Sequence, residues 1–398
     1  MKKTKRVVLW GAWYGSKNVG DRAILLTITK MLGQALEHVD FIVLSANPAL
    51  VYQYTKRHSS LSIEAIRPRR DLPRVVLEIA RSDLLVFGGG VPFFDRHAQL
   101  IAMTVLTLVA RLFRTPYFLW CVSSLPVHSR LAKIVFGWVL AGASGITYRD
   151  EFTRVLFNSC GVNDDRMTKV ADSAFILENE SQADAKEILQ AAGWNPEAGR
   201  SLVALTPRSL RSADGEAETH YSPQTSDQYQ HEIETFAAVN DWLWENGFQP
   251  IFVPMNIAAP DDDRVVSRLI MERGEFGNKS LLIEQEIHPR LAIGIYQQCR
   301  ASFVSRVHGS ILSMVGLCPV MMYAFDAKHR GIMQAMDCED YVVIPAQDGS
   351  DASVLMMKSL LNMGPILRQD YKERLIKLRQ SSRIPVGMIT EIINAKSA

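Results

Sequence analysis

Arg306 and His308 stand two residues apart in the segment SRVHG, Ser305 to Gly309, directly after the apolar run Ala301–Val304. An arginine presents a planar fork of donors that suits carboxylate or phosphate. A histidine titrates near neutrality and can give or take a proton. At the end of an expected strand and the start of an expected helix, the two residues describe a polar site with His308 at its chemical centre. Lys328 follows the next expected strand, Val320–Tyr323, so two successive strand ends bring these groups to one sheet edge.

Three further segments have the residue types of a site. GAWYGSKNVGD (Gly11 to Asp21) is a glycine-rich turn after the first apolar run, containing Tyr14, Asn18 and Asp21. Such a turn lets backbone N–H groups approach an anion. It is neither GxGxxG nor a P-loop, and it serves equally well as a turn with Asn18 and Asp21 capping the next helix. FGGGVPFFD (Phe87 to Asp95) places Gly88, Gly89 and Gly90 at another strand end, with Asp95 beyond. This is either a ligand edge or a tight turn. In TYRDEF (Thr147 to Phe152), Arg149 is either an anion clamp or half of an ion pair, and Asp150 reads as a helix cap. His288-Pro289 reads as a helix start. No His/Asp/Glu grouping has metal-ligand spacing, so no catalytic metal and no cofactor are expected.

The elements that must position these residues follow an alternating pattern. Strands are expected at Arg6–Trp10, Phe41–Ser45, Leu84–Phe87, Tyr117–Cys121 and Gly145–Tyr148, then at Ser201–Thr206, Pro250–Val253, Ser280–Ile283, Ala301–Val304 and Val320–Tyr323. Helical patterns separate most of them. Strand–helix alternation predicts parallel sheets wrapped by helices. With 398 residues, the chain divides into residues 1–177, a connection 178–200, a second domain 201–350 and C-terminal helices 351–398. The polar stretch Ser209–Ser226 is either a lid or a surface loop.

Composition narrows the class. Hydrophobic residues are 47% and charged residues 22%, with net charge +2, so nothing points to nucleic acid. Five single cysteines without a CxxC pair fit a reducing compartment. No signal peptide or spanning segment is read, and the expected location is cytoplasmic. The apolar helices Gln99–Phe113 and Arg130–Leu140 are read as core-buried, with peripheral association at the inner membrane face as the alternative.

Taken in order, YGSKNVGD (Tyr14 to Asp21), LLVFGGG (Leu84 to Gly90), YRD (Tyr148 to Asp150), ADSAF (Ala171 to Phe175), SRVHG, GLCPV (Gly316 to Val320) and Asp326-x-Lys328 resemble the polysaccharide pyruvyl transferases. Val307 replaces the usual leucine, and His329-Arg330 is more basic than the family pattern. The resemblance implies an α/β fold of the GT-B kind, two Rossmann-like domains facing across a cleft. It implies a bacterial transferase of exopolysaccharide or capsule biosynthesis, with phosphoenolpyruvate as donor. The product would be a pyruvate ketal on a sugar of a cell-surface polysaccharide or its lipid-linked precursor. By motif, Arg149, Arg306 and His308 are the catalytic candidates, and Arg149, Arg306, Lys328 and Gly309 bind the donor. Tyr14, Asn18, Asp21, Gly88, Gly89, Gly90 and Asp95 line the cleft or the acceptor side.

Two rivals stand beside this reading. One is a GT-B glycosyltransferase using a nucleotide sugar, which often needs carboxylates near the helix after the turn. Ala301 to Phe325 contains no Asp or Glu. The other is a non-catalytic glycan-binding member, against which the Arg/Arg/His/Lys set argues.

Overall fold

The computed structural model describes residues 4–11, 13–55, 61–68, 70–208, 226–259, 261–324, 327–345 and 347–397, without the side chains of Ser226, Ala327, Lys328 and Ser397. The lid or loop at 209–226 therefore lies outside the description, except for the backbone of Ser226, as does the Lys328 side chain. The chain forms two compact units. One comprises Met1–Ser16, Asp21–Ile176 and Lys377–Ala398, and the other Lys17–Gly20 and Leu177–Ile376.

In the first unit, β1 (Lys5–Trp10), β2 (Val39–Leu44), β3 (Ser62–Ile66), β4 (Leu84–Gly88), β5 (Tyr117–Val122), β6 (Gly145–Tyr148) and β7 (Met167–Lys169) form one sheet. Their order is β3-β2-β1-β4-β5-β6-β7, and every pairing is parallel. Its helices are α1 (Val19–Ala35), α2 (Pro48–Thr55), α3 (Leu72–Arg81), α4 (His97–Leu112), α5 (Arg130–Ala141) and α6 (Glu151–Ser159). The first two residues of α1 pack with the second unit.

Strand side chains alternate between faces, and both faces are apolar. Val8, Trp10, Ile42, Leu44, Leu85 and Phe87 pack with residues of α3 to α6. Val7, Leu9, Phe41, Val43, Leu84 and Val86 pack on the other side with α1 and with Ile389 and Ile393 from the chain's end. That burial on two faces explains why the central strands read as continuous apolar runs.

The second unit repeats the plan. Here β8 (Ser201–Thr206), β9 (Phe248–Phe252), β10 (Leu281–Leu282), β11 (Cys299–Val304), β12 (Val320–Tyr323) and β13 (Val342–Val343) run parallel in the order β10-β9-β8-β11-β12-β13. Around them lie α7 (Gln182–Ala191), α8 (Ser226–Glu245), α9 (Asp263–Arg273), α10 (Pro289–Gln297), α11 (Val307–Val315) and α12 (Ala327–Ala335). Residues 178–200 fold with this unit, since Ala185 of α7 is buried and lies against Gly294 of α10.

A single helix of 48 residues, α13 (Ser350–Ser397), ends the chain. Pro365 and Pro385 lie inside it without ending it; each removes one backbone donor. Its early part is held to the second unit where Tyr371, fully buried, accepts the Val320 N–H at 3.3 Å. Its late part belongs to the first unit, where the Ser382 hydroxyl donates to the Asp172 carbonyl at 2.8 Å.

The apolar helices α4 and α5 are buried on one side only. Met103, Leu106 and Ala110 of α4 reach the core, as do Ala132, Phe136, Val139 and Leu140 of α5. Their outer sides are exposed at Ile101, Leu108, Leu112, Leu131 and Ile134. The expectation of core burial thus holds for half of each helix, because the sheet covers a single side of the helical layer.

The late part of α13 should be a structural element of the first unit rather than a tail. Ile389→Ala, at a fully buried position, should cost about 2–5 kcal/mol. Ile384→Ala, at an exposed one, should change stability by less than about 0.5 kcal/mol. Urea denaturation of both variants checks this.

Candidate functional site

In both units the strand order reverses beside the central strand: between β1 and β4, and between β8 and β11. Ligands of open parallel sheets bind at the carboxyl ends of strands at such switch points. SRVHG leaves the sheet at the second of these. The Ser305 N–H donates to the Thr206 carbonyl of β8 at 2.9 Å, and its hydroxyl donates to Glu232 of α8 at 2.6 Å. Glu232 also accepts the backbone N–H of Arg208 at 3.2 Å.

Arg306 precedes α11 and is 8% exposed, although its partner Asp263 is fully buried. Its Nε lies 3.2 and 3.1 Å from the two carboxylate oxygens, and its Nη2 donates to Oδ1 of the same residue. Asp263 in turn accepts the backbone N–H groups of Met255 and Asn256 at 3.1 and 2.9 Å. The carboxylates missing from the Ala301–Phe325 stretch are therefore supplied in space by α8 and α9.

His308 is the second residue of α11, at the helix end whose N–H groups favour anions. Its ring lies against Gly20: a Cβ there would fall 2.1 Å from Nδ1. Gly20 is held in turn. Its N–H donates to Asn18 Oδ1 at 2.8 Å, Val19 N–H donates to the Met255 carbonyl at 2.8 Å, and Asn18 pairs with Asn256. The NVG turn and Asp263 thus share the anchor Met255–Asn256. Gly309 is also closely approached, since a Cβ would meet Thr206 Cγ2 at 3.1 Å.

His329 is 1% exposed and donates through Nε2 to the Ser305 carbonyl at 3.2 Å, fixing the end of β11. That is the structural use of the extra base beside Lys328. His288 begins α10 and accepts the Arg290 N–H at 3.4 Å.

In the first unit Arg149 follows β6, and its side chain is buried in an ion pair with Asp172. Asp172 also accepts the Ala174 N–H at 2.9 Å. Burial pushes the nearby Cys121 thiol up to about 12, with Asp172 adding to the shift, so this cysteine is not a nucleophile near neutral pH. Tyr14, Asp21 and the glycines meet at the β1/β4 switch point. Tyr14 donates to the Gly88 carbonyl at 3.0 Å, and a Cβ on Gly88 would strike its hydroxyl at 2.5 Å. Gly89 and Gly90 adopt φ of 52° and 69°, which glycine alone tolerates readily. Ser16 donates to Asp21 at 3.1 Å. Asp95 accepts the N–H groups of His128 and Ser129 at 2.6 and 3.0 Å, holding the chain before α5.

The first unit also contains a cavity of about 540 Å³ at the carboxyl ends of β1, β2 and β3. Trp10, Trp13, Tyr14 and Phe94 supply aromatic walls, and Arg67, Arg70 and Arg96 supply cations. Arg67 Nε is buried with no hydrogen-bond partner among the described residues, a position that an anionic ligand oxygen would satisfy. Apart from Tyr14, the sequence reading missed this cavity's walls. Arg67 and Arg70 follow β3, a mostly half-exposed strand without a strong apolar run, and Arg96 stands just before α4.

Comparison with known proteins follows this geometry. The polysaccharide pyruvyl transferase model matches residues 18–326. No curated protein matches the chain. Among solved structures, UDP-GlcNAc 2-epimerase from Neisseria meningitidis, bound to UDP-GlcNAc, is 10% identical with a TM-score of 0.58, covering 98% of this chain and 100% of that one. Anabaena Alr3699/HepE in complex with UDP and glucose is 12% identical with a TM-score of 0.60, covering 98% and 99%. E. coli ADP-heptose lps heptosyltransferase II is 10% identical with a TM-score of 0.50, covering 90% and 99%. At these identities the likeness is one of fold.

The Arg306–Asp263 pair makes a stability prediction. Asp263→Ala leaves a mostly buried guanidinium without its carboxylate and should destabilise the protein by about 3–5 kcal/mol. The double variant Asp263→Ala/Arg306→Met should recover part of that loss. Thermal denaturation of the two variants checks this, and equal loss in both would mean that the pair is not the cause.

Proposed function

Because the chain belongs to the polysaccharide pyruvyl transferase family, we propose that it transfers the enolpyruvyl group of phosphoenolpyruvate to a saccharide as a pyruvate ketal. The acceptor is a sugar of a cell-surface polysaccharide or of its precursor. One sugar hydroxyl adds to C2 of the donor as the methylene carbon gains a proton. A second hydroxyl then displaces phosphate from C2. Both hydroxyl protons leave oxygen: one is matched by the new C–H bond, the other leaves with phosphate or solvent.

The observation that carries this reading is the placement of Arg306 just before α11 and His308 in its first turn, beside the switch point of the second sheet. Phosphoenolpyruvate has a carboxylate and a phosphate. The N-terminus of α11 is matched to an anion, and Arg306, whose Nε and Nη2 are held by Asp263, places a positive charge beside it. His308, packed on Gly20, is assigned the proton transfer. Arg149 and Lys328 are assigned further donor contacts, and Gly309 allows close approach. The aromatic and cationic cavity of the first unit is assigned to the acceptor, since sugar faces stack on aromatic rings and a carrier phosphate would meet the arginines.

A nucleotide-sugar glycosyltransferase is the second reading. The observations that favour it are the buried carboxylates Glu232 and Asp263 near α11. Asp263 is already taken by Arg306 and two backbone N–H groups, which leaves it poorly placed to grip a ribose.

Phosphoenolpyruvate should raise the thermal midpoint and UDP should not; the reverse result would favour the nucleotide-sugar reading. His308→Ala should keep donor binding and lower kcat by about 10²–10⁴-fold, the range for loss of a general acid or base. Unchanged ketal formation in that variant, followed by phosphate release and NMR of the product, would remove His308 from the chemistry. Arg306→Lys, which keeps the charge and loses the fork, should raise the KM for the donor.

A further inference from the structure

We propose that the outer faces of α4 and α5 dock on the surface of an anionic lipid bilayer. On α4 the exposed residues Ile101, Leu108 and Leu112 are 64%, 55% and 72% accessible. The half-exposed Val105 lies on the same stripe at helical spacing. On α5, Leu131 and Ile134 are 63% and 69% accessible. The helices are neighbours: Arg111 of α4 lies over the Trp138 ring of α5 at 4.3 Å and donates to the Trp138 carbonyl. Single exposed hydrophobic residues are ordinary, but a contiguous apolar face on two adjacent helices marks an interaction surface.

Charge selects the partner. No Asp or Glu occurs between Asp95 and Asp150, while Arg111, Arg114, Arg130 and Lys133 lie on or beside these helices. Arg111, Arg114 and Arg130 are exposed. Exposed apolar side chains on two helices that carry cations and no acid of their own fit the boundary of an anionic leaflet. A second copy of the chain is a poor match. An isologous dimer places the same patch on both sides, so the cations of α4 and α5 in one copy would meet the same acid-free helices of the other. Among the described residues no helix is long and apolar enough to cross a membrane, so the contact is at the surface.

The placement also bears on the substrate. Gln99 and Ala102 of α4, and Arg96 just before it, line the cavity assigned to the acceptor. Docking by the outer side of the same helix sets that cavity beside the headgroup layer, within reach of a sugar carried on a lipid diphosphate. This last step rests on the pyruvyl transferase reading; the docking does not.

Co-sedimentation of the full chain with vesicles tests the docking without any donor or acceptor. The protein should bind phosphatidylcholine vesicles containing about 30% phosphatidylglycerol and not phosphatidylcholine alone, with binding lost at high salt. Arg114→Gln and Arg130→Gln should each weaken binding about fivefold, the worth of one cation near such a surface. The double variant Leu112→Glu/Ile134→Glu should abolish binding with its thermal midpoint unchanged, since both side chains already face outward.

Equal binding by this double variant and the wild type would overturn the proposal, as would absence of binding to anionic vesicles. So would a solution dimer that the double variant dissociates, because the face would then be a protein interface. Vesicle binding without any effect of phosphoenolpyruvate would retain the docking surface and reject the proposed reaction.

Discussion

The pairing of Arg306 with buried Asp263, and of Arg149 with buried Asp172, is the constraint on which the candidate site residues of each unit depend. Arg306 is fixed by Asp263 and Arg149 by Asp172. Desolvating such pairs costs several kcal/mol per ion, and apolar replacements of the same volume are often more stable. Stability alone does not account for them. What they provide is a guanidinium held in one orientation, and pre-organisation of that kind lowers the ordering cost of any contact the group makes. Each carboxylate is itself pinned by backbone N–H groups: Asp263 by Met255 and Asn256, Asp172 by Ala174. The arginines are thus positioned by the main chain at one remove.

Main-chain positioning also governs His308. The imidazole packs where Gly20 has no side chain, and Gly20 is placed by a turn whose backbone is bonded to Met255 and Asn256. Arg306 and His308, two residues apart in sequence, are thus referred to the same two anchor residues by separate routes, one through Asp263 and one through the NVG turn. Packing on a glycine fixes the imidazole in place, because any Cβ there would move the ring.

Much of this was legible in the sequence because parallel strands buried on two faces declare themselves as apolar runs. All five expected strands of the first half and all five of the second correspond to observed ones. The edge strands β3, β7 and β13 were not read: β7 and β13 are very short, and β3 is mostly half-exposed. The site motifs SRVHG, YRD and YGSKNVGD were visible because the strand-to-helix turns that carry them are local. Their partners Asp172, Asp263, Glu232 and His329 were not identified as partners. Each acts across a long separation in the chain, and an acid at the start of a helix, such as Asp263, looks like an ordinary helix-start residue. ADSAF was recognised as a motif, but the link from Asp172 to Arg149 is a fact of three dimensions.

The same limit applies to α4 and α5. Apolar residues all round a helix read as core from sequence, and here the sheet accounts for one side only. A helix fully covered by protein has no use for a biased charge pattern around it, since its neighbours set its environment. The sequence from Arg96 to Arg149 keeps several cations and excludes every acid, in a chain whose cations and acids are nearly balanced overall, 44 against 42. Met103, Leu106, Phe136 and Val139 form the core face without that bias, and Arg111 alone of these cations is used between the helices, over Trp138. Under the docking proposal the rest of the bias belongs to the outward side, where hydrophobic contact and charge act together.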